Sequence, residues 1–358
     1  MKSVLRWCAT AALLLFSALP SRVLAQGCVA ARYNPTSPLL EGCANCTLMA
    51  NEWLASVSYR WLHSDSDFRG DQEQHRVEAE DPVSNEIHSI DLSVAYGITD
   101  RWSATFSLPF VSGDRTTKYE HDGIHQHTMH AGGLADVRLV TDFWLLNPHE
   151  FMDGNIALGI GLKAPTGDDK ASDVAHRDTG PVVRPVDLAI QPGDGGWGVI
   201  LEVQAYQKIY RGLSGYVSGS YLMTPQEQNG VEVPYADQFE VPSALKHNSI
   251  ADQYLGRAGV NYSVWPEQGL ALSLGVRDEG IPVHDAIGGS LGFRRPGYVV
   301  SLEPGSTWSH ERNAISITAP VAVYRNRERS AAEEAAGYPG GDGTFADFLV
   351  MASFIHRF

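Results

Sequence analysis

The sequence predicts an all-β protein, a transmembrane antiparallel β-barrel of about twelve strands with long extracellular loops and short periplasmic turns. Three observations carry this. The last strand alternates, with Phe358, His356, Phe354, Ala352, Val350 and Phe348 on one parity and Arg357, Ser353 and Asp347 among the other, and it closes on an aromatic residue. One apolar face at a period of two is what a wall between lipid and lumen requires. At the other end, Lys2 and Arg6 precede an apolar run, Cys8 to Pro20, and Val23-Leu24-Ala25 forms a small-residue cleavage site. This is a signal-peptide pattern, because the run falls short of the roughly 20 apolar residues of a spanning helix. Between the two ends, strands are joined by short and long connections in turn, and no segment is long and apolar enough to span as a helix.

The strands follow in order. The first, Trp53 to Trp61, sets Trp53, Ala55, Val57, Tyr59 and Trp61 on one face. After a polar stretch to about Ile87, the second points Ile90, Leu92, Val94 and Tyr96 outward, and Gly97-Ile98-Thr99-Asp100 turns tightly. The third sets Trp102, Ala104, Phe106 and Leu108 outward over inward Ser103, Thr105 and Ser107, and a long polar loop is expected from Ser112 to Gly133. Strand four directs Val137, Leu139, Phe143 and Leu145 outward; a turn through Asn147-Pro148 leads to strand five, with Ile156, Leu158, Ile160 and Leu162 outward. Pro165 to Gly196 is the next long loop.

Strands six and seven flank Arg211-Gly212, eight and nine flank Trp265-Pro266-Glu267-Gln268, and ten and eleven flank Gly305 to Glu311. Further long loops are expected near residues 224–249, 279–296 and 326–343. Strand ten, Tyr298 to Glu303, is short, and Pro320 in strand eleven cannot donate to a ladder, which predicts a bulge. An even strand count returns both ends of the barrel to one side. A soluble β-sandwich would also alternate, but it accounts for neither the loop asymmetry nor the terminal Phe358. Trp53, Trp61, Trp102, Trp144, Trp197 and Trp265 all fall at or just beyond strand ends, as in the aromatic girdles of a membrane barrel.

The expected organisation is a signal peptide over 1–25, a periplasmic or plug segment over 26–51, and the barrel over 52–358. The formal charge is −15; removing the three basic leader residues Lys2, Arg6 and Arg22 leaves −18. That balance argues against nucleic acid as a partner, since such binding needs basic groups to neutralise phosphates. The expected partners are outer-membrane lipid and lipopolysaccharide, the assembly machinery through Phe358, and a small-molecule solute.

Parity sends Arg60, Arg138, Lys163, Arg257 and Arg277 into the lumen, and with them Asp91, Asp136, Asp142, Glu202 and Asp347. Five against five favours internal ion-pair networks over a selectivity ring of one sign, and the same groups could simply fill and stiffen the wall. A barrel of about twelve strands lies between the filled eight-stranded and the open sixteen-stranded types, so any pore should be narrow.

Other clusters are less specific. His121, His125, His127 and His130 share one loop and could bind a divalent metal, but the spacing matches no standard zinc frame, no second shell can be identified, and a solvated loop is the plainer reading. Cys28, Cys43 and Cys46 form an odd set in an oxidising compartment, open to a disulfide with one thiol left over or to free or redox-active thiols. Asp168-Asp169 and Gly193-Asp194-Gly195-Gly196 read as turns or as Ca²⁺ loops. There is no nucleophile elbow, P-loop or triad, no cofactor is expected, and an enzyme is not the expectation.

Several stretches together resemble a bacterial outer-membrane family often labelled "transporter" and associated with a meta-pathway of phenol degradation. They are Tyr96-Gly-Ile-Thr-Asp-Arg-Trp102 running into Ser107-Leu-Pro-Phe110, Leu134-Ala-Asp-Val-Arg138, Lys163-Ala-Pro-Thr-Gly-Asp168, Gly193-Asp-Gly-Gly-Trp197 and Gly292-Phe-Arg-Arg-Pro-Gly-Tyr298. The resemblance implies an outer-membrane barrel that passes small, in some cases aromatic or hydrophobic, compounds, and it assigns no residue roles. The leading expectation is therefore passive or facilitated passage of a small solute. Its rivals are a structural or binding barrel with a closed lumen, whose His-rich loop contacts a metal or partner, and an outer-membrane hydrolase.

Overall fold

The structure, a computed structural model, describes residues 48–358 except Pro339, with the side chains of residues 76–78 also set aside. The leader, most of the 26–51 segment and all three of Cys28, Cys43 and Cys46 lie outside the described residues. Twelve strands form the barrel: β1 (Trp53–Ser64), β2 (Ser84–Gly97), β3 (Trp102–Thr117), β4 (Arg138–Trp144), β5 (Gly154–Lys163), β6 (Gly198–Tyr210), β7 (Leu213–Met223), β8 (Gln253–Trp265), β9 (Leu270–Ile281), β10 (Gly297–His310), β11 (Asn313–Thr318, continued by Val321–Arg327) and β12 (Phe348–Arg357). Each pairs antiparallel with its sequence neighbours, and β1 pairs with both β2 and β12, which closes the sheet. Closure matters because the bilayer offers no water to an unpaired edge. No described helix is long and apolar enough to cross a membrane.

Side-chain alternation follows the expected parity. Val57, Leu92, Phe106, Leu158, Leu274 and Phe354 stand exposed on the outer wall, while Leu62, Arg138, Lys163, Arg257 and Ile355 are buried inside. Exposed apolar groups on this wall are matched by lipid tails rather than water. Trp53, Trp102, Trp265 and Trp308 mark the short-turn end, and Trp197 marks the long-loop end. The tight turns use the backbone that such turns need: Gly212 at φ 71° and Gly269 at φ 72° are left-handed, where a Cβ would be strained. At Gly269 a Cβ would also lie 1.8 Å from the carbonyl oxygen of Ser309.

Four strand boundaries differ from expectation. The polar stretch Ser112–Gly133 is not all loop: β3 runs on to Thr117, and His127–Leu134 folds back along it with Thr117 opposite His127. Strand β9 continues to Ile281, so Glu279 is a strand residue. Strand β10 is 14 residues long, and its turn lies at Glu311-Arg312 rather than Gly305–Glu311. Gly305 is a strand residue because the wall is crowded there: a Cβ would stand 2.5 Å from Ser273 Oγ and 2.8 Å from Thr318 Cγ2. The fourth difference is at β1, which extends to Ser64 with β2 beginning at Ser84, trimming the polar stretch between them. Pro320 breaks β11 as expected, and the register shift comes three residues later, where Ser301 pairs with Ala322 and Val300 with Tyr324, skipping Val323.

The ends meet at the short-turn side. Phe358 N–H donates to Trp53 O at 2.9 Å, and its ring stands edge-on to His356 at 4.6 Å. Residues 48–51 lie against this opening: Leu48 packs on inward-facing Leu54, Ala95, Ala314 and Ile355, and Asn51 N–H donates to Gly97 O at 2.7 Å. Deleting Phe358 removes the last seam contact and the terminal aromatic together. The expected outcome is less heat-modifiable protein in membrane extracts, and assembly at wild-type yield would count against a terminal assembly signal.

Candidate transport lumen

Inward positions on consecutive strands build a lumen of paired charges. Arg138 Nη1 lies 3.7 Å from Asp91 Oδ1, and Lys163 Nζ lies 3.1 Å from Asp136 Oδ2 while also binding Asp194 from the loop after β5. Across the lumen, Arg257 and Arg277 are direct cross-strand neighbours. Glu303 sits between them: it accepts from Arg257 Nε at 2.8 Å and lies 3.6 Å from Arg277 Nη1. Glu279 accepts two bonds from Arg277, at 2.9 and 3.0 Å. Like charges placed opposite each other on a ladder repel, so these carboxylates are what allows two arginines to share one wall.

Asp142 and Glu202 stand in register on either side of Gly159. A Cβ at Gly159 would lie 2.6 Å from Asp142 Oδ1 and 2.9 Å from Glu202 Cβ, so the glycine leaves room for two carboxylates to face the same space.

Sequence parity thus places Arg60, Asp91, Asp136, Arg138, Asp142, Lys163, Glu202, Arg257 and Arg277 together inside. Asp347 belongs elsewhere. It lies just before β12 at the long-loop rim, where it accepts from Ser66 Oγ at 2.7 Å and Arg325 Nη2 at 2.9 Å. Sequence reasoning missed Glu279, which it placed in the loop after β9, and Glu303, which closed its strand ten on the same parity as Ser301.

Among the described residues the lumen holds cavities of about 40 and 60 Å³, each with room for a few waters. Arg60, Ser89, Asp91 and Arg138 line both, so this layer divides the lumen. Asp142, Glu202 and Gln204 line the lower cavity. The upper cavity has an apolar wall, including Leu62, Ile87, Val111 and Leu222, and a lid formed by Ala189, Gln191, Pro192 and Asp194.

That lid is part of a loop that closes the mouth. Val186 and Ile190 are fully buried against inward Leu62, Ile87 and Leu349 and against Met129 and Ala131 of the folded-back arm. Gly113 makes the fit possible, since a Cβ there would stand 2.8 Å from Ile190 Cβ. Asp187 anchors the loop: Arg295 donates to both its oxygens, at 2.8 and 2.7 Å, and Arg115 lies 3.9 Å away. Burial pushes the Asp187 carboxyl up, but Arg115 and Arg295 outweigh burial and hold it well below the ordinary carboxylate range. A depressed pKa contributes stability that is present above the ordinary carboxylate value and lost only as pH falls through the lower, folded one. The anchor is therefore intact across neutral and mildly acidic pH.

The loop histidines are outside the lumen. His121, His125 and His127 gather at one loop tip, joined by Asp122 and by His176, which the sequence reading did not include. His130 stands apart, bonded to Asp114 at 2.7 Å. The turn reading holds for Asp168 and Asp194: Asp168 Oδ1 accepts from Lys170 N–H at 2.8 Å, and Asp194 pairs with Lys163.

No protein-family model matches the chain, and no curated protein matches it. Solved structures do. An outer membrane channel from Pseudomonas putida F1 aligns over 91% of this chain and 100% of its own at 15% identity, with a TM-score of 0.58. The P. putida toluene transporter TodX aligns over 91% of this chain and 95% of its own at 9% identity, TM-score 0.44. A Pseudomonas aeruginosa FadL homologue aligns over 92% and 99% at 9% identity, TM-score 0.41. The first of these establishes that the chain has the fold of an outer-membrane β-barrel.

Proposed function

We propose that this protein is an outer-membrane channel for small solutes, closed in the described conformation by its own loop. The observation that carries the reading is the mouth: an apolar loop segment, anchored by ion pairs rather than by strand pairing, covers a charged lumen that still holds water-sized space. A purely structural barrel has no need of a detachable lid. The upper cavity pairs an apolar wall with Arg60, Arg138 and Lys163, which suits a small solute with an apolar body and a polar edge. The resemblance to the phenol-degradation family points the same way, toward aromatic compounds. Residues 26–51 are proposed to close the periplasmic end, a reading supported by Leu48 packing into that opening.

Planar-bilayer recording tests the proposal. Rare openings are expected from the intact protein, and frequent ones once residues 186–191 are replaced by a short Gly-Ser linker. Silence from both proteins would favour a closed barrel, a reading that the densely paired Arg257–Glu303–Arg277 wall favours on its own.

Selectivity supplies a second test. Arg138→Ala frees Asp91 in the layer between the cavities and should shift reversal potentials toward cations. Asp136→Asn leaves Lys163 with less opposing charge and should shift them toward anions. Reversal potentials that do not move in either variant would place the conduction path elsewhere.

A further inference from the structure

We propose that Asp122, His125 and His127 form a binding site for a divalent transition-metal ion at the extracellular mouth. Their donor atoms lie within 4.8 Å of one another. Asp122 Oδ2 is 2.8 Å from His125 Nδ1 and 3.8 Å from His127 Nε2. Ligand atoms on a tetrahedral zinc are roughly 3.4 Å apart, given metal–ligand bonds of about 2.0–2.2 Å, so the two spacings bracket what an ion needs. The other carboxylate oxygen of Asp122 accepts from the backbone N–H of Ile124 at 2.8 Å and of His125 at 2.7 Å. These bonds hold the carboxylate in orientation and leave Oδ2 toward the imidazoles, as outer-shell partners of a metal ligand do.

His121 is fully buried beside this cluster, its ring 5.1 Å from His127 and 5.9 Å from His176. Its Nδ1 accepts from the backbone N–H of His176 at 3.1 Å, but its Nε2 is buried and has no hydrogen-bond partner among the described residues. Buried polar atoms are seldom left so; because Nδ1 accepts, the neutral ring carries its proton on Nε2, so His121 lines the cluster and the ligand set stays Asp122, His125 and His127. His127 and His176 stack at 4.3 Å, which brings four rings and one carboxylate together at the tip. Imidazole-rich sets favour zinc, copper or nickel over calcium or magnesium.

The three ligands come from one loop, between β3 and the arm His127–Leu134, and the hairpin Ser172–Arg177 with Gly180–Pro185 packs beside it through the His127–His176 stack. Binding itself is independent of whether the barrel conducts.

The test uses full-length protein purified in detergent without a polyhistidine tag, dialysed against Zn²⁺ alone and analysed for bound metal. About one zinc at the loop is expected. His125→Asn and His127→Asn should each weaken it by more than about 100-fold, beyond the loss of an outer-shell partner. His130→Asn should leave it unchanged. Folding of every variant is checked by heat-modifiable migration. Co²⁺ substitution then identifies the donors: nitrogen and oxygen ligands give visible ligand-field bands without thiolate charge transfer. Zinc retained in both His125→Asn and His127→Asn, a thiolate band that assigns the ion to the cysteines, or no bound zinc would each overturn the proposal.

Discussion

Replacing Asp187 with alanine should open the extracellular mouth while leaving the barrel assembled. Asp187 is fully buried and takes both guanidinium nitrogens of Arg295, with Arg115 close behind. Removing it takes away both hydrogen bonds that Arg295 gives this carboxylate, while the stacking of Arg295 on Phe293 at 4.8 Å remains. Breaking a buried pair from one side costs about 3–5 kcal/mol, which moves a closed-to-open ratio by roughly two to three and a half powers of ten. The strand ladder is untouched, so the cost should fall on the lid. The measurements are open probability in bilayers and protease cleavage within residues 180–196. Asp153→Ala is the control. It pairs with Lys208 at the exposed short-turn end, where such bridges are worth about 0–1 kcal/mol, so its traces should match wild type. If Asp187→Ala stays as closed and as protease-resistant as wild type, the carboxylate is not what anchors the lid.

The contrast between wall and lid explains how much of the molecule was legible. The wall is a local code. Each strand announces its faces by alternation, and Val57, Leu92 and Leu158 are exposed outward as their parity requires. Where the code misled, strands outran the membrane. Beyond the hydrocarbon a ladder needs only backbone partners, so Asp114 to Thr117 remain in β3 although their side chains read as loop. The same error hid Glu279. The lid is of another kind. Asp187 and Arg295 are 108 residues apart, and Val186 and Ile190 find their apolar partners on the inner faces of β1, β2 and β12. Nothing in the period of residues 165–196 reports a contact made by tertiary folding. His121 shows the same limit: within a run of polar residues its burial depends on the hairpin at 172–185 folding over it.

Glu303→Gln should lower the thermal stability of the barrel more than any lumen change at Arg138 or Asp91. Glu303 is 1% exposed and stands between Arg257 and Arg277, which face each other directly across β8 and β9. Its cross-strand neighbour is Gly275, whose missing side chain leaves room for Tyr216: a Cβ there would stand 2.4 Å from the Tyr216 hydroxyl. A neutral amide keeps the shape and removes the charge, leaving two guanidinium groups to be balanced by Glu279 and the weaker contacts nearby, such as Arg257 over Tyr216 at 6.0 Å. If this wall is dry, the loss should approach the roughly 3–5 kcal/mol of a broken buried pair, a drop on the order of 5–15 °C in the temperature at which unboiled protein loses its folded migration. Arg138→Ala offers the comparison, because its partner Asp91 is partly open to the cavities and water can take over the charge. A second-site Arg257→Leu change in the Glu303→Gln background should recover much of the loss by removing the excess cation. The opposite pattern, an unchanged unfolding temperature with a shift in ion selectivity, would mean that water reaches Glu303 and that the conducting path runs along β8 to β10 rather than through the Arg60–Asp91–Arg138 layer.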